Sequence, residues 1–514
     1  MAATLGSTLL GFSREVVSAT YYGTRWEMDT FLAAAVVPTI LFGVFNGALV
    51  SALVPAFSEY LTHRRDEEAW RLANTVINGL FLILAVCAVL GYVLAPWFVP
   101  IIAHGFPPPQ MSVAIHMTRW LMPSIIAVSL SGVFTAILNA HHRFRSAALT
   151  GIVLNITTIS TVMFLNQRLG IFALVIGTSL GLIAQMLIQI PALLYMGKYR
   201  LMLDLRHPGL RRIGQVLSPI VVGSAAGQTA LFFDRYFAST LSPGYIAGMN
   251  YVTKLVNFPQ QIFAAAIATV IFPLLAAEFA KANRAGIGQS VATGLRLVNF
   301  IMIPAMCALL VLARPIVQTL FERGTFGPTA TDLCAGLLPY AAVGMIALAG
   351  NVVLTRVCFA CRETNWAVVV SVVAVTINVA LCVAWLPTLG ARGLLLANSL
   401  SQAIQAALLL GVVVRIVHGV DWAKLLISTL KIVVASAIMV GALHWIQALG
   451  VEPSHAFASR AWFLFGQIAI GALVFVAVAR ILEVEELSLA VRLILQKFER
   501  NVPSAPDSGG APIA

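Results

Sequence analysis

The amino-acid sequence predicts an all-α, polytopic membrane protein with about fourteen transmembrane helices. Hydrophobic residues make up 60% of its 514 residues and charged residues only 10%, whereas a soluble domain carries about 25% charged residues. Apolar runs long enough to cross a bilayer recur from one end of the chain to the other. In lipid such a run must satisfy its own backbone hydrogen bonds, and an α-helix does so within one segment. A soluble fold is therefore excluded.

The predicted helices follow these apolar runs. They lie near residues 2–20, 29–57, 73–103, 113–140, 147–165, 169–196, 213–240, 245–277, 290–320, 331–358, 365–386, 391–416, 425–448 and 460–482. We expect an N-terminal six-helix lobe (1–205), a C-terminal six-helix lobe (206–420) and two additional transmembrane helices (421–482). After these helices, we expect a cytoplasmic amphipathic segment and a disordered tail (483–514).

An internal repeat relates the two predicted lobes. Four residues of the first lobe recur in the second, each displaced by 221 positions (235 minus 14 for the first pair). Arg14, Gly23, Asp29 and Pro38 correspond to Arg235, Gly244, Asn250 and Pro259. A constant displacement across such markers indicates a duplication. Each unit holds an even number of helices, so the lobes are parallel repeats related by an axis along the membrane normal, and a substrate path is expected between them.

The basic residues predict that both termini face the cytoplasm. With that orientation, fifteen basic loop residues lie inside and five lie outside, as the positive-inside rule requires. The outside residues are Arg25, Arg168, Arg323, Arg392 and Arg460. The net charge of +12 also suits a nucleic-acid ligand, but the basic residues lie in short loops rather than on one face. Membrane topology therefore explains the charge better.

The sequence contains no recognisable enzymatic site. Paired carboxylates, an activated nucleophile and the phosphate-binding pattern GxxxxGK[ST] are all missing. Cys358 and Cys361 form a CxxC, but no second cysteine or histidine pair accompanies them at metal-ligand spacing. We therefore predict that the protein is not an enzyme and needs no metal or organic cofactor.

Ionisable residues inside the apolar segments predict the functional site. A charged side chain at the centre of a membrane costs roughly 2.5 to 3.5 kcal/mol, so it needs a partner or a wet cavity. The candidates are Arg14, Glu15, Asp29, Asp234, Arg235 and Lys254. Arginine binds phosphate oxygens through its planar fork, and lysine supplies a point charge. We predict Arg14 and Lys254 as anion ligands, with Glu15, Asp29 and Arg235 as further substrate-binding residues.

Structural roles compete with these assignments. Arg14 can pair with Glu15 or Asp29 inside the bundle, and Lys254 lies close enough to its helix start to snorkel. Asp234 and Arg235 are adjacent in sequence and predict a structural ion pair.

A cation site is the alternative role for Asp234. It would bind a coupling sodium ion or proton and would be joined by Asn378, although a lone intramembrane asparagine more often bonds to a neighbouring helix. A more distant basic residue, Arg296, lies near a helix end, where we expect it to snorkel.

Six stretches of the chain carry a family resemblance. They begin at Leu10 (LGFSREVV), Met28 (MDTFLAA), Ser51 (SALVPAFSEY), Ile137 (ILNAHHRF), Tyr251 (YVTKLVNFPQQIFAAAIATVIFP) and Leu320 (LFERGTF). The sequence resembles the MurJ/MviN family of the multidrug/oligosaccharidyl-lipid/polysaccharide exporter superfamily. The resemblance implies a V-shaped bundle that moves lipid II, an undecaprenyl-pyrophosphate-linked peptidoglycan precursor, across the bacterial inner membrane by alternating access. It also implies contacts with membrane lipids and with cell-wall synthesis proteins, and it places Arg14, Asp29 and Lys254 on charged cavity positions.

The chain departs from that family pattern at several cavity positions. Thr8 stands where the family usually has an arginine, and Phe42 and Gly43 stand where it usually has a basic pair. Three alternative functions stay open: a flippase for another polyprenyl-linked saccharide (an exopolysaccharide or O-antigen unit), a drug/cation antiporter, and a degenerate, non-transporting scaffold. Arg14 and Lys254 argue against the antiporter, because a cation carrier needs an excess of cavity carboxylates.

Reporter fusions test the predicted topology. Fusions at Pro108 and Ser242 should report the periplasm, and fusions at Arg206 and Arg284 the cytoplasm, because the basic loops stay inside. Paired alkaline phosphatase and fluorescent-protein fusions measure this directly. A reversed pattern at any two sites contradicts the predicted orientation.

Overall fold

The computed structural model of the protein describes residues 2–196, 199–280, 284–361, 363–417, 419–449 and 456–489. All regular secondary structure in these ranges is α-helical, which confirms the all-α fold class. The helices are α1 (Ala2–Tyr22), α2 (Trp26–Ala34), α3 (Val36–Thr62), α4 (Asp66–Ile102), α5 (Pro108–Leu121), α6 (Ser124–Ala140), α7 (Phe144–Leu169), α8 (Phe172–Leu187), α9 (Ile190–Leu194), α10 (Pro208–Ala238), α11 (Tyr245–Ala280), α12 (Arg284–Val311), α13 (Ala313–Phe321), α14 (Pro328–Ala342), α15 (Met345–Ala360), α16 (Thr364–Leu389), α17 (Ala391–Ile416), α18 (Trp422–Ala448) and α19 (Phe457–Ile481).

Five of the predicted helices are each broken in two in the described chain. The broken ones are those predicted near 29–57, 113–140, 169–196, 290–320 and 331–358. A proline lies in the break or within three residues after it in four cases, at Pro38, Pro123, Pro191 and Pro315. Proline cannot donate a hydrogen bond to the preceding turn, so the helix is interrupted there. The fifth break has Gly344 as the N-cap of α15.

The apolar helices have the length and composition of membrane spans. Ten such spans are found within the described residues, and an eleventh forms if α14 and α15, bent by 43°, count as one. Several further helices contain residues whose side chains are not described. The total of fourteen spans therefore stays a prediction.

The described chain divides into two compact units, of which unit 1 consists of Met1–Ala264 and Leu312–Val412. Helices from both predicted repeats lie in it. In the first repeat, α7 ends at Gly170 with φ 54° and ψ −135°. In the second, α16 ends at Gly390 with φ 56° and ψ −132°. These glycines are displaced by 220 positions (390 minus 170), so their matching geometry agrees with the repeat. The lobe boundaries near 205 and 420 stay predictions.

An apolar core of unit 1 joins α3, α4 and α6. Its fully buried side chains include Leu53 and Phe57 from α3, Leu72 from α4 and Ile137 from α6. Close to this core, α3 also packs against α10, and α1 packs against α7. These contacts fix the helices that carry the candidate site.

Four glycines bring the backbones of the two repeats into direct contact in the loops after α1, α4, α10 and α13. A Cβ atom at any of them would lie under 3.0 Å from a carbonyl oxygen of the other repeat. The glycines are Gly23, Gly105, Gly244 and Gly324, and the oxygens belong to Thr325, Ser239, Thr24 and Thr20, in that order. The Thr325 amide also donates to the Thr20 carbonyl at 2.9 Å. Glycine is required at these positions, since other residues lack the space.

Unit 2 consists of Ala265–Val311 and Val413–Ala514, and α18 packs against both α12 and α19. In α12, Arg296 does not snorkel, contrary to expectation. Its side chain is 12% exposed, and it lies 2.9 Å from Glu485 and donates from Nε to Glu486. The Ser428 hydroxyl donates to the same Glu486 carboxylate at 2.7 Å. Glu485 and Glu486, which follow α19, are therefore bonded to side chains of α12 and α18.

Glu485 lies outside the membrane-spanning segments. Hydrogen bonds from Arg296 and Lys424 hold the pKa of the Glu485 carboxyl below its ordinary value. The predicted amphipathic segment and tail (483–514) continue from here, but residues 490–514 lie outside the described residues.

We expect Gly324→Ala to destabilise the protein more than Gly170→Ala. Both glycines have positive φ, 59° and 54°, so alanine strains the backbone at either site. Only Gly324 also meets another backbone, because no atom lies within 4 Å of a Cβ at Gly170. Thermal unfolding of both purified variants measures the difference. Equal melting temperatures would show that the contact does not hold the repeats together.

Candidate functional site

A cavity of about 530 Å³ in unit 1 is lined by residues of both repeats. We call it the main cavity. Its charged lining residues are Arg14 and Glu15 from α1, Arg235 from α10 and Lys254 from α11. The structure thus brings four of the five predicted substrate-binding residues to one cavity.

Glu15 bridges two cations in the main cavity. Its Oε1 atom lies 3.1 Å from Nη2 of Arg14 and 3.6 Å from Nζ of Lys254. The Glu15 side chain is 10% exposed, whereas Arg14 is 26% and Lys254 41% exposed. Arg14 belongs to the first repeat and Lys254 to the second, so the carboxylate joins the two repeats by charge.

The remaining wall of the main cavity is mostly apolar. Its apolar lining residues include Phe31, Leu32, Val36, Phe42, Leu121, Ile125, Val128, Leu154, Leu174 and Leu182. Phe42, which stands where the resembling family has a cation, lies on this wall, whereas Thr8 does not line the cavity. An anionic group and an apolar chain can both be accommodated in such a cavity.

Asp29, the fifth predicted substrate-binding residue, is not part of the main cavity's lining. It is 2% exposed, and its two carboxylate oxygens accept the backbone N–H groups of Gly244 at 2.5 Å and Ala247 at 2.7 Å. These amides begin α11, whose first turn has unpaired donors and the positive end of the helix dipole. The first repeat therefore caps a helix of the second.

A second cavity, of about 150 Å³, lies beside the main one in unit 1. Its polar lining residues are Asp234, Arg235, Asn250, Thr253, Asn257, Asn398, Ser399 and Gln402. The ion pair predicted between Asp234 and Arg235 does not form among the described residues. Neighbouring residues of a helix point about 100° apart, which separates these two charges.

Asn378, the predicted partner of Asp234, bonds to a neighbouring helix. Its amide donates to the Ser401 hydroxyl at 3.2 Å, and its Oδ1 atom is 3.5 Å from Sγ of Cys382. It does not line the second cavity. The helix-to-helix hydrogen bond is thus present, and the cation site that Asp234 and Asn378 would share stays a prediction.

The described part of the chain contains no cluster of metal-ligating side chains. No group of three or more histidine, cysteine, aspartate or glutamate side chains is placed to hold a metal ion there. All six cysteines are free thiols.

The polar lining of the second cavity was not foreseen. On α11, Asn250, Thr253 and Asn257 lie three and four residues apart and so share one helix face. This spacing in an apolar helix was the signal available in the sequence. Asn398 and Ser399 come from α17, about 140 residues later, and no local pattern connects them with α11.

Comparison with known proteins relates this architecture to a family. A family model described as lipid II flippase MurJ matches residues 18–458. The chain belongs to the MurJ family. A MurJ relative from Vibrio cholerae serotype O1, described as a probable lipid II flippase, is 30% identical over 501 residues, which cover 94% of this chain and 95% of the relative. The lipid II flippase MurJ of Burkholderia cenocepacia is 25% identical over 455 residues, covering 86% of this chain and 88% of its own.

Solved structures agree with MurJ membership. A structure described as lipid II flippase MurJ in an inward closed conformation superposes with a TM-score of 0.79 at 25% identity, covering 93% of this chain and 97% of the other. A multidrug resistance MATE family transporter in an inward-facing conformation gives a TM-score of 0.65 at 16% identity, covering 83% of this chain and 95% of the other. This second likeness concerns the fold alone. With its apolar helices, the chain is a multi-pass membrane protein of the MurJ type.

We expect Asp29→Ala to lower thermal stability and Asp29→Asn to lower it less. Loss of a capping side chain costs typically about 1 kcal/mol, and asparagine keeps an oxygen that can accept an amide hydrogen. Differential scanning fluorimetry of the purified variants measures both changes. An Asp29→Ala protein as stable as the parent would contradict the capping role.

Proposed function

We propose that this protein moves lipid II from the inner to the outer leaflet of the bacterial inner membrane by alternating access. Membership of the MurJ family supports the proposal, as do the lipid II flippase descriptions of its relatives. The structural observation that carries it is the pair of cations, Arg14 and Lys254, on the wall of a largely apolar cavity.

The charges of the main cavity suit a pyrophosphate group. The described lining contains three cations and one carboxylate, so positive charge is left over after internal pairing. A pyrophosphate offers several acceptor oxygens, to which Arg14 can donate through its fork and Lys254 through its ammonium group. The apolar wall around Phe42 suits a lipid chain better than it suits water.

Glu15 occupies the place between two cations that an anionic group of the substrate would take. It lies between Arg14 and Lys254, and an arriving pyrophosphate competes with it for both cations. This competition weakens binding on either side of the membrane, because Glu15 pairs with both cations again when the anion leaves. Moderate affinity suits a transporter, because a substrate that binds very tightly is released slowly and lowers the transport rate.

We place the protein in the inner membrane with both termini in the cytoplasm, on the distribution of its basic loops. It acts there as a transporter and not as an enzyme, among membrane lipids and beside cell-wall synthesis proteins. Without a nucleotide-binding motif in the sequence, the energy would come from an ion gradient, the membrane potential or consumption of the flipped precursor.

A sodium ion or a proton is the proposed coupling ion, with Asp234 as its site. The Asp234 carboxylate makes no hydrogen bond or ion pair among the described residues, and it faces a cavity lined by amide and hydroxyl oxygens. Oxygen ligands of this kind suit a small hard cation.

Another polyprenyl-linked saccharide, such as an exopolysaccharide or O-antigen unit, is the alternative substrate, and the lipid II flippase descriptions of the relatives do not favour it. The Arg14 and Lys254 pair, on the cavity wall that also carries Phe42, would bind the pyrophosphate that both substrates share.

We expect Arg14→Ala to abolish lipid II translocation. A phosphate that loses its charge-assisted hydrogen bond loses about 1.5 to 3 kcal/mol, while Arg14→Lys keeps the charge without the fork and should retain part of the activity. Translocation of labelled lipid II in proteoliposomes measures both variants.

A matched control for this test is Arg314→Ala. Arg314 pairs with Asp332 at 3.1 Å, and both side chains are more than half exposed, so the variant should transport normally. Normal transport by Arg14→Ala at equal membrane abundance would show that Arg14 is structural.

The two substrates predict different growth of a strain that lacks a standard lipid II flippase. A protein that moves lipid II restores growth, whereas a protein selective for another saccharide restores it poorly, because Thr8, Phe42 and Gly43 replace cations. In the second case the double variant Thr8→Arg with Phe42→Arg should complement better, and Phe42→Arg alone tests the cavity wall, since only Phe42 of the two lines it. Growth of a depletion strain at equal protein abundance is the measurement, and failure of the parent protein to restore growth would contradict lipid II transport.

A further inference from the structure

Arg235 lies between the two cavities of unit 1 and lines both of them. It shares this position with Leu231 and Asn250, whereas its neighbour Asp234 lines only the second cavity. A single guanidinium group therefore borders a cavity suited to an anion on one side and an unpaired carboxylate on the other.

The Arg235 side chain is poorly satisfied. Its two hydrogen bonds, to the Ile246 carbonyl and to Oδ1 of Asn250, are both 3.5 Å long. Its Nε atom is buried and has no hydrogen-bond partner. By contrast, Arg296 in unit 2 makes short bonds to two carboxylates. Arg235 thus has five donors, of which two make only long hydrogen bonds and the Nε–H makes none.

Asp234 is equally unsatisfied, with no hydrogen bond or ion pair in the described part of the chain. The two opposite charges are one residue apart on α10, so each affects the electrostatic potential at the other even without contact. In the poorly screened interior of a membrane protein this effect extends beyond contact distance.

We propose that Arg235 couples the two cavities, so that neutralising Asp234 strengthens anion binding in the main cavity. With Asp234 ionised, its negative charge attracts Arg235 and reduces the positive potential in the main cavity. When Asp234 is neutral, the Arg235 guanidinium is available to a pyrophosphate beside Arg14 and Lys254. The proposal rests on the proposed function only in its choice of pyrophosphate as the anion.

The coupling is reciprocal. A bound anion that draws Arg235 toward the main cavity leaves Asp234 with less positive charge nearby, and so favours a cation in the second cavity by the same factor. Substrate and coupling ion would therefore load together, which is what coupled transport requires.

A double-mutant cycle tests the proposal on the full-length protein in phospholipid nanodiscs, with inorganic pyrophosphate as the probe and calorimetry as the measurement. Asp234→Asn should raise the affinity roughly fivefold or more, and Arg235→Gln should lower it. In the double variant, Asp234→Asn should no longer raise the pyrophosphate affinity, because that increase depends on the Arg235 guanidinium. Arg235→Lys keeps the charge and should keep part of the gain.

Two surface variants serve as matched controls. Asp332→Asn and Arg314→Gln change the same charges at an exposed pair and should leave the affinity unchanged. Melting temperatures of all variants show whether each is folded, and Arg235→Lys replaces Arg235→Gln if the latter is not.

Three results would overturn the proposal. They are an unchanged affinity in Asp234→Asn, additive effects in the double variant, and no pyrophosphate binding by the parent protein. The last leaves lipid II translocation open, because that is measured separately with the intact lipid. Conversely, the expected cycle in a protein that does not move lipid II supports Arg235 coupling and refutes the proposed function.

Discussion

An ionised side chain inside an apolar bundle must meet an opposite charge, a set of aligned dipoles or water, and much of this structure follows from that constraint. Two carboxylates meet it in different ways. Asp29 accepts two amides at the start of α11, and Glu15 lies between two cations. Both links join the first repeat to the second, so intramembrane charges that cost free energy on insertion also stabilise the contact between the repeats.

Equivalent residues of the two predicted repeats make different contacts. Arg14 and Arg235 occupy the same place in the repeat, yet the first is paired with Glu15 and the second has only long hydrogen bonds. Asp29 corresponds to Asn250, but Asp29 caps a helix while Asn250 borders both cavities. Equivalent positions of the two repeats therefore make different contacts, although the surrounding helices correspond.

The fold class and the charged lining residues of the main cavity could be predicted from the sequence. Apolar run length determines helices in lipid, and the cost of intramembrane charge singles out Arg14, Glu15 and Lys254 without any knowledge of tertiary contacts. The role of Asp29 could not be predicted, because its partners are backbone amides more than 200 residues away and a backbone amide has no sequence signature. Asn398 was missed for a related reason, since uncharged polar residues are common in membrane helices and only packing shows which of them meet.

The two repeats share a helix break at equivalent positions of the backbone. The break between α5 and α6 falls at Pro123, and the break between α14 and α15 falls at Gly344, which is the equivalent position (344 minus 123 is 221). Ser124, beside the first, lines the main cavity, and Gly344 itself lines the second. An interrupted helix changes direction at the break, by 43° between α14 and α15. Each repeat therefore places a helix break at the wall of a cavity, so the shape of both cavities depends on backbone geometry as well as on side chains.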